Sequence, residues 1–220
     1  MVSSKPVNAG FTLIEALIVL AITAILAAIA FPQMQRMIAT QRAYNRADQI
    51  LSLFQFARAE AIRTNQPVLI CPTTIRQNAA TSNVCVNFSA EWQGFMAFND
   101  KNMDGSYTQN IDSMIRVVAV NQNNDNKLNI NTGFCNSNQN TCNPITGSGV
   151  LGFMPNGQFG IGNGANKSNW RIGQSNVVVE ITDIQYASIS RRIVVTPSGK
   201  PIACYGKNGT NIRECSLALP

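Results

Sequence analysis

The stretch Gly10–Pro32, GFTLIEALIVLAITAILAAIAFP, is an apolar segment with a single acid near its start. Its only polar side chains belong to Thr12, Glu15 and Thr23. At about 1.5 Å per residue such a run spans about 30 Å, which is the thickness of a hydrocarbon core. A carboxylate in this setting is costly unless a cation neutralises it. The stretch therefore predicts a membrane-spanning helix in which Glu15 needs a partner.

A polar leader, residues 1–10, precedes the helix and contains Lys5. A secretory signal peptide carries its small-residue cleavage site after the apolar region, whereas Gly10 lies before it. Cleavage between Gly10 and Phe11 would remove only the leader and keep the helix. Lys5 favours a cytoplasmic N-terminus, which places the bulk of the chain across the membrane. An uncleaved signal anchor and a buried core helix are the alternatives.

The GFTLIE motif followed by an apolar helix resembles the class III signal of type IV pilins and type II secretion pseudopilins. In that family a prepilin peptidase cuts after the glycine and methylates the new terminal phenylalanine, which implies processing at Gly10 and Phe11. The resemblance also implies that Glu15 pairs with the N-terminal amine of a neighbouring subunit. Pro32 stands where many pilins have a helix-kinking proline.

Beyond Pro32, where we expect a kink, the helical pattern continues to Asn65-Gln66-Pro67. An apolar stripe at three- and four-residue steps would face a folded head; it consists of Ala43, Ala47, Ile50, Leu51, Phe54, Ala57 and Ala61. Five arginines lie largely off this stripe: Arg36, Arg42, Arg46, Arg58 and Arg63. They form a solvated face, or else Arg36, Arg42 and Arg46 pair with acids on neighbouring subunits.

Short β segments separated by turns rich in Asn, Gly, Ser and Pro follow the helix. The predicted strands are Val68–Cys71, Gly94–Phe98, Ile115–Val120, Val150–Met154, Val177–Ile181, Ile193–Thr196 and Pro201–Tyr205. A long helix followed by antiparallel strands predicts an α+β fold, with the sheet packed on the C-terminal half of the helix.

Three blocks resemble, in the same order, those of GspH/FimT/FimU-type minor pilins and pseudopilins: Ala57–Cys71, Trp92–Gly105 and Ile193–Lys200. The resemblance implies the type IV pilin fold. Two inserts rich in Asn or Gly, Asn121–Pro144 and Asn156–Asn169, are expected to be exposed loops. The expected organisation is a cleaved leader (1–10), a transmembrane and filament-core helix (11–32), an amphipathic helix (33–66) and a β-rich head with disulfide loops (67–220).

Six cysteines and a charged fraction of only 13% suit an extracytoplasmic protein. Six cysteines allow fifteen pairings, and pairing neighbours along the chain is one guess. It joins Cys71 to Cys85, Cys135 to Cys142 and Cys204 to Cys215. A cysteine metal site is disfavoured because no pair has CxxC spacing and the chain contains no histidine.

Residues 100–105, DKNMDG, resemble the first half of a calcium loop. Asp100, Asn102, Asp104 and Asp112 would supply the oxygens, although Ile111 stands where the bidentate glutamate belongs. An Asx-type turn is the alternative. The Trp92–Phe98 run is interpreted as core and not as a binding face.

Catalysis finds no support in the sequence. Without histidine, neither a Ser-His nor a Cys-His nucleophile pair is available, and there is no histidine general base. No GxxxxGK[ST] phosphate loop is present either. We expect no enzymatic activity and no cofactor.

The net charge of +6 permits contact with a polyanion without demanding it. The basic and aromatic residues that could contact DNA are Arg191, Arg192, Lys200, Tyr205, Lys207 and Arg213. Some FimT-type minor pilins bind DNA through a Gly-Arg-x-Arg element, but the matching place here reads Gly199-Lys200-Pro201-Ile202. A solvated basic surface is the alternative.

Together these features predict a minor pilin that helps to prime a type IV pilus and sits at or near its tip. The alternatives are a DNA-binding minor pilin for natural transformation and a type II secretion pseudopilin. The resemblance implies other minor and major pilins, the prepilin peptidase and the inner-membrane assembly platform as partners, with DNA as a further one. It also implies an inner-membrane prepilin with a periplasmic head, which becomes part of an extracellular pilus after assembly.

Overall fold

The computed structural model describes residues 11–75, 84–90, 92–121, 127–136, 142–164, 166–204, 213–217 and 219. The chain divides into two units, Met1–Ala39 and Thr40–Pro220. One helix, α1 (Leu13–Thr64), contributes residues to both.

Helix α1 is 52 residues long and remains helical through Pro32. Its sequence is rich in Ala, Leu and Ile and contains no glycine, which favours helix over its whole length. It stops where predicted. Asn65 adopts a left-handed conformation with φ 53°, and Pro67 two residues later has no N–H with which to continue the ladder.

Eleven strands are present among the described residues. They are β1 (Val68–Thr73), β2 (Gly94–Asn99), β3 (Ser113–Ala119), β4 (Leu128–Asn136), β5 (Asn143–Pro144), β6 (Val150–Phe153), β7 (Phe159–Gly162), β8 (Arg171–Ile172), β9 (Ser175–Asp183), β10 (Ser190–Val195) and β11 (Pro201–Cys204). Short 3₁₀ turns lie at Lys167–Asn169 and Arg213–Ser216.

The strands form two antiparallel sheets. The first has the order β3-β2-β1-β6-β7-β8, and the second has the order β11-β10-β9-β4-β5. This arrangement confirms the predicted α+β fold, in which one long helix packs on antiparallel strands.

Phe54 lies at the centre of the contact between α1 and the first sheet. Its ring contacts those of Phe95, Phe153 and Phe159 at centroid distances of 6.2, 6.3 and 6.0 Å. Edge-to-face contacts of this kind add to the apolar burial that holds the layers together. The predicted stripe residues are fully buried, apart from the half-buried Leu51.

The opposite faces of both sheets carry smaller apolar clusters built around cystines. On the first sheet, Leu69, Cys71 and Phe98 are buried with Cys85 packed against them. On the second sheet, Val178 and Val194 are buried together with Cys135, Cys142, Cys204 and Cys215. On the second sheet, the 3₁₀ turn Arg213–Ser216 packs against β10 and supplies Cys215 to the cluster.

The structure corrects the prediction that both inserts are loops. The Asn121–Pro144 insert contains β4, an inner strand of the second sheet that pairs with β9 along its whole length. The Asn156–Asn169 insert contains β7. The glycines of β7 are there for packing, because a Cβ on Gly162 would overlap the ring of Trp170.

Candidate assembly helix and head surfaces

The N-terminal half of α1 exposes its apolar side chains. Leu13 is 78% exposed and Ile29 67%, and Phe11, which precedes the helix, is 89% exposed. In the part of the chain that the structure describes, α1 is the helix that by length and composition could cross a membrane. An apolar surface this long is not stable in water, so it requires lipid or other helices around it.

Thr12 and Glu15 form a capping box at the start of α1. The Thr12 N–H and hydroxyl both donate to Glu15 Oε2 at 3.0 Å, and the Glu15 N–H donates to Thr12 Oγ1 at 3.3 Å. The exchange satisfies donors that would otherwise lack partners at a helix start, which matters most where water is scarce. Among the described residues, nothing hydrogen-bonds to Glu15 Oε1.

Thr12 is the residue that the sequence reasoning missed. The spacing Thr12-x-x-Glu15 is the S/T-x-x-E signature of a capping box, and this signal was present in the sequence. Of the two processing residues, Phe11 is exposed and Gly10 lies outside the described residues. Pro32 lies inside α1.

Two of the proposed inter-subunit arginines have partners within their own chain. Arg42 Nη1 lies 3.5 Å from Asp183 Oδ2 on β9, and Arg46 Nη1 donates to Gln49 Oε1 at 3.0 Å. Asp183 is 2% exposed, so the first pair ties the helix to the second sheet. Arg42 is therefore corrected from a partner of neighbouring subunits to an internal contact, while Arg36 is exposed.

The structure buries two of the proposed DNA contacts. Arg191 is 2% exposed, and its guanidinium lies over the Tyr44 ring at 4.6 Å. Arg192 Nε donates to Glu180 Oε1 at 2.8 Å, and its Nη1 donates to the Leu217 carbonyl at 2.8 Å. Neither side chain is free to contact a phosphate, so both are corrected to structural cations.

The other basic candidates are not brought together by the described structure. Lys200 is exposed on the turn between β10 and β11, where its N–H donates to Thr196 Oγ1. Gly199 before it has φ 77° and lies so close to the Gly157 carbonyl that no Cβ would fit. Tyr205 and Lys207 lie outside the described residues, as does the side chain of Arg213.

Residues 100–112 form a turn stabilised by its own carboxylates. Asp100 accepts the N–H groups of Asp104 and Gly105, and Asp112 accepts those of Lys101 and Thr108. Burial raises the pKa of Asp100 above 3.8; the Gly105 N–H opposes this, and the charge of Asp112 adds to it.

The remaining carboxylate of the calcium candidate, Asp104, accepts the Ser106 N–H and the Asn102 amide. Every carboxylate oxygen of the candidate set is thus held by a donor of the turn. Within the described ranges, no group of three or more His, Cys, Asp or Glu side chains is arranged to hold a metal ion. The geometry favours the Asx-type turn over a calcium site.

The three disulfides join Cys71 to Cys85, Cys135 to Cys142 and Cys204 to Cys215. These are the nearest-neighbour pairs of the sequence analysis. Cys71 and Cys85 belong to the apolar cluster on the first sheet, and the other four cysteines belong to the cluster on the second.

Two protein families match the sequence. The family described as "Type II transport protein GspH" matches residues 46–199, which is more than half of the chain. The "Prokaryotic N-terminal methylation motif" matches residues 5–31, a range that includes Gly10, Phe11 and Glu15. No curated protein sequence matches the chain.

Two solved structures that resemble the chain are crystal forms of the type IV minor pilin FimU of Pseudomonas aeruginosa. One has a TM-score of 0.43 at 10% identity and covers 80% of this chain and 96% of that one. The other has a TM-score of 0.41 at 11% identity, with coverages of 78% and 98%. At these values the likeness carries no argument about function.

Proposed function

The chain belongs to the GspH family, whose members are type IV minor pilins and pseudopilins, and we propose from this premise that it primes a type IV pilus as a minor subunit. In this proposal the helix enters the filament core and the head is displayed near the tip. The role is non-covalent: the chain contributes packing surface and one buried charge.

The observation that carries the proposal is the contrast between a buried head core and an apolar half-helix that none of the described residues covers. The side chains of residues 13–38 of α1 are all exposed, while those of the head's helical stripe are fully buried apart from Leu51. Before assembly, lipid would cover the exposed half. Sister helices would replace the lipid once the filament forms.

Glu15 supplies the specificity of the docking step in this proposal. Its Oε2 is held by Thr12, which fixes the carboxylate rotamer and leaves Oε1 to accept the methylated amine of Phe11 from the next subunit. In a low-dielectric helix bundle, this charge pair would stabilise one axial register between neighbouring helices. Any other register would leave the carboxylate unpaired and would be destabilised. In this proposal the prepilin peptidase first processes the chain. The mature subunit then joins other minor and major pilins at the inner-membrane assembly platform.

The proposed location follows from the same helix. The prepilin would lie in the inner membrane with its head in the periplasm, and the assembled subunit would be extracellular in the pilus. Methylation of Phe11 would remove no charge at neutral pH, so the amine would remain a cation for Glu15 of its neighbour.

The test compares Glu15→Leu, Glu15→Gln and Thr12→Val by membrane fractionation and by mass spectrometry of sheared filaments. We expect every variant to insert, and Glu15→Leu to insert best because an apolar side chain replaces a costly one. Incorporation should fall sharply for both Glu15 variants and less for Thr12→Val, which loses a hydroxyl and keeps the charge. Normal incorporation of both Glu15 variants would refute the pairing role.

A type II secretion pseudopilus is the second candidate, and the matching family's own description favours it. Deletion of the gene separates the two: loss of pili with normal secretion supports the pilus, whereas loss of secretion with normal pili supports the pseudopilus. A DNA-binding role gains nothing from the described residues, since Arg191 and Arg192 are buried.

A further inference from the structure

A groove in the head lies between the segment that carries Phe88 and Trp92 and the outer edge of β4. It consists of two adjoining recesses of about 320 and 250 Å³. Phe88, Trp92 and Ile130 line both of them. Ile184, which is 59% exposed, lies at one end, and Leu219 lies at the other.

The edge of β4 is covered at both ends of this groove. At one end the side chain of Asn121 caps Leu128: its Nδ2 donates to the Leu128 carbonyl at 2.7 Å, and its Oδ1 accepts the Leu128 N–H at 3.2 Å. At the other end β5 pairs with Gly133 and Phe134, and the Ile145 N–H donates to the Thr132 carbonyl at 3.1 Å.

Between these covers a short piece of the strand edge is open. Backbone groups of alternate residues in a strand point to the same side, so Ile130 turns its N–H and C=O the same way as Leu128, away from β9. The Thr132 N–H points that way too. Across the described ranges, no group hydrogen-bonds to these three backbone atoms.

We propose that an extended segment of a partner protein adds to this edge as a short strand. A backbone in extended conformation offers one C=O and one N–H at the spacing that Ile130 presents, which a side chain or a small ion does not. Partner side chains two residues apart would be about 7 Å apart, and they would enter the two recesses on either side of Ile130.

The residues that line the two recesses indicate which side chains the partner segment would insert. The lining residues that the structure describes are all uncharged; the polar ones are Asn121, Asn129, Asn131, Thr132 and Thr146. The partner's inserted side chains are therefore uncharged and of moderate size. Two copies of this chain are not expected to pair through their β4 edges. The open part of the edge spans only Ile130 to Thr132 and lies within the groove, where another folded β4 would not reach it.

The proposal concerns the head alone and does not rest on the filament role. The probe is a pool of acetylated, amidated pentapeptides made of Ala, Val, Leu, Ser, Thr, Asn, Gln and Gly. The full chain in detergent micelles is immobilised, and the retained peptides are identified by mass spectrometry. Ile130→Pro removes the key N–H without touching the β9 ladder, and Ile130→Val is the matched control that keeps it.

We expect the native chain and Ile130→Val to retain a subset of peptides at least about tenfold over Ile130→Pro, as a main-chain interaction requires. No enrichment over Ile130→Pro would overturn the proposal. A second measurement does not depend on the folding of that variant: N-methylation of the best peptide at single positions should abolish binding at one of them. Binding that survives every N-methylation would also overturn the proposal.

Hydrogen exchange locates the bound peptide. The Ile130 and Thr132 amides should exchange at least about tenfold more slowly in its presence, because they gain partners only when a strand is added. Slowing confined to other strands, with these two amides unchanged, would contradict the assignment.

Discussion

The two halves of α1 are both helical and have opposite surroundings. Residues 13–38 expose Leu, Ile, Val and Phe side chains, whereas in the second half Ala43, Ala47 and Ala57 are completely buried. The second half also buries Ile50, Leu53 and Phe54 completely, and the first half also exposes alanines, so burial and not residue size distinguishes the two halves. The buried alanines let the sheets pack close to the helix, and the large side chains between them fill the core.

The comparison shows which parts of the chain need a partner. Within the described head, Arg42 pairs with Asp183 and Arg192 pairs with Glu180. In the N-terminal half, the apolar side chains are exposed and, among the described residues, Glu15 Oε1 accepts no hydrogen bond. Changes in the head should therefore affect folding, and changes in the N-terminal half should affect assembly.

The largest difference is expected between two substitutions of phenylalanine, one in each half of α1. Phe54→Ala removes a fully buried ring that contacts three others, and it should lower the free energy of unfolding by about 3–5 kcal/mol. Phe31→Ala, at a position 59% exposed, should leave head unfolding within about 0.5 kcal/mol of the native value. Denaturant titration of the full chain in detergent measures both, and equal losses would erase the distinction between the halves.

The ion pair between Arg192 and Glu180 should give the next effect. Arg192→Met leaves a carboxylate that is 12% exposed without its cation and orphans the Leu217 carbonyl, which should cost about 3 kcal/mol. The double variant Arg192→Met/Glu180→Leu should recover part of that loss because no buried charge remains. A double variant less stable than Arg192→Met would show that the pair itself stabilises the head.

The fold was predictable where one pattern dominated. The run from Phe11 to Phe31 predicts a long apolar helix, and the apolar stripe around Phe54 fixes the face that packs. The capping box was readable as well, because Thr12 and Glu15 have the required spacing. These signals are local, so no knowledge of the tertiary structure was needed.

The second sheet was less predictable because the composition of its inner strand β4 is typical of a loop. In β4 the apolar residues Leu128 and Ile130 alternate with Asn129 and Asn131, so an alternating pattern was present within an Asn-rich composition. The composition suggested a loop and outweighed the periodicity. β7 was missed because its glycines are required by tertiary contacts, of Gly162 with the Trp170 ring and of Gly160 with the backbone of β8, which no local pattern reveals.

The site residues divide along the same line. Charge and residue type nominated Arg191 and Arg192 for DNA, but burial is decided by tertiary packing: strand β10 places Arg191 against Tyr44 of the helix. The calcium candidate had the right residue types at partly correct spacing. Its oxygens are taken by the turn's own N–H groups, which spacing alone does not show.

Removal of one cystine should give a smaller loss than either buried-core change. Cys204→Ser/Cys215→Ser opens an 11-residue separation and should lower the free energy of unfolding by about 2–3 kcal/mol. Because Cys204 and Cys215 are also part of the cluster on the outer face of the second sheet, Cys204→Ala/Cys215→Ala separates loop closure from the polarity of serine. Filament incorporation of protein that does fold should be unchanged, since the N-terminal half is untouched.

The smallest effects are expected in the pH dependence of stability, with opposite signs for variants of Asp100 and Glu60. Burial holds the pKa of Asp100 above 3.8, so the folded state keeps its proton to higher pH than the unfolded state. Its contribution to stability is thus greatest at acidic pH and declines as pH rises through that pKa. Relative to the native chain, Asp100→Asn should become less destabilising from pH 3 to pH 7.

Glu60 provides the control of opposite sign. Its hydrogen bond from Arg63 holds the pKa below 4.5, so its contribution is present above 4.5 and is lost as pH falls through the lowered pKa. Glu60→Gln should therefore become more destabilising from pH 3 to pH 7, by a small amount because the Arg63 partner is exposed. Urea titrations of both variants across this range test the signs. If the destabilisation by both variants changed with pH in the same direction, burial would not be raising the pKa of Asp100. The turn at residues 100–112 would then not hold its carboxylates as the structure indicates.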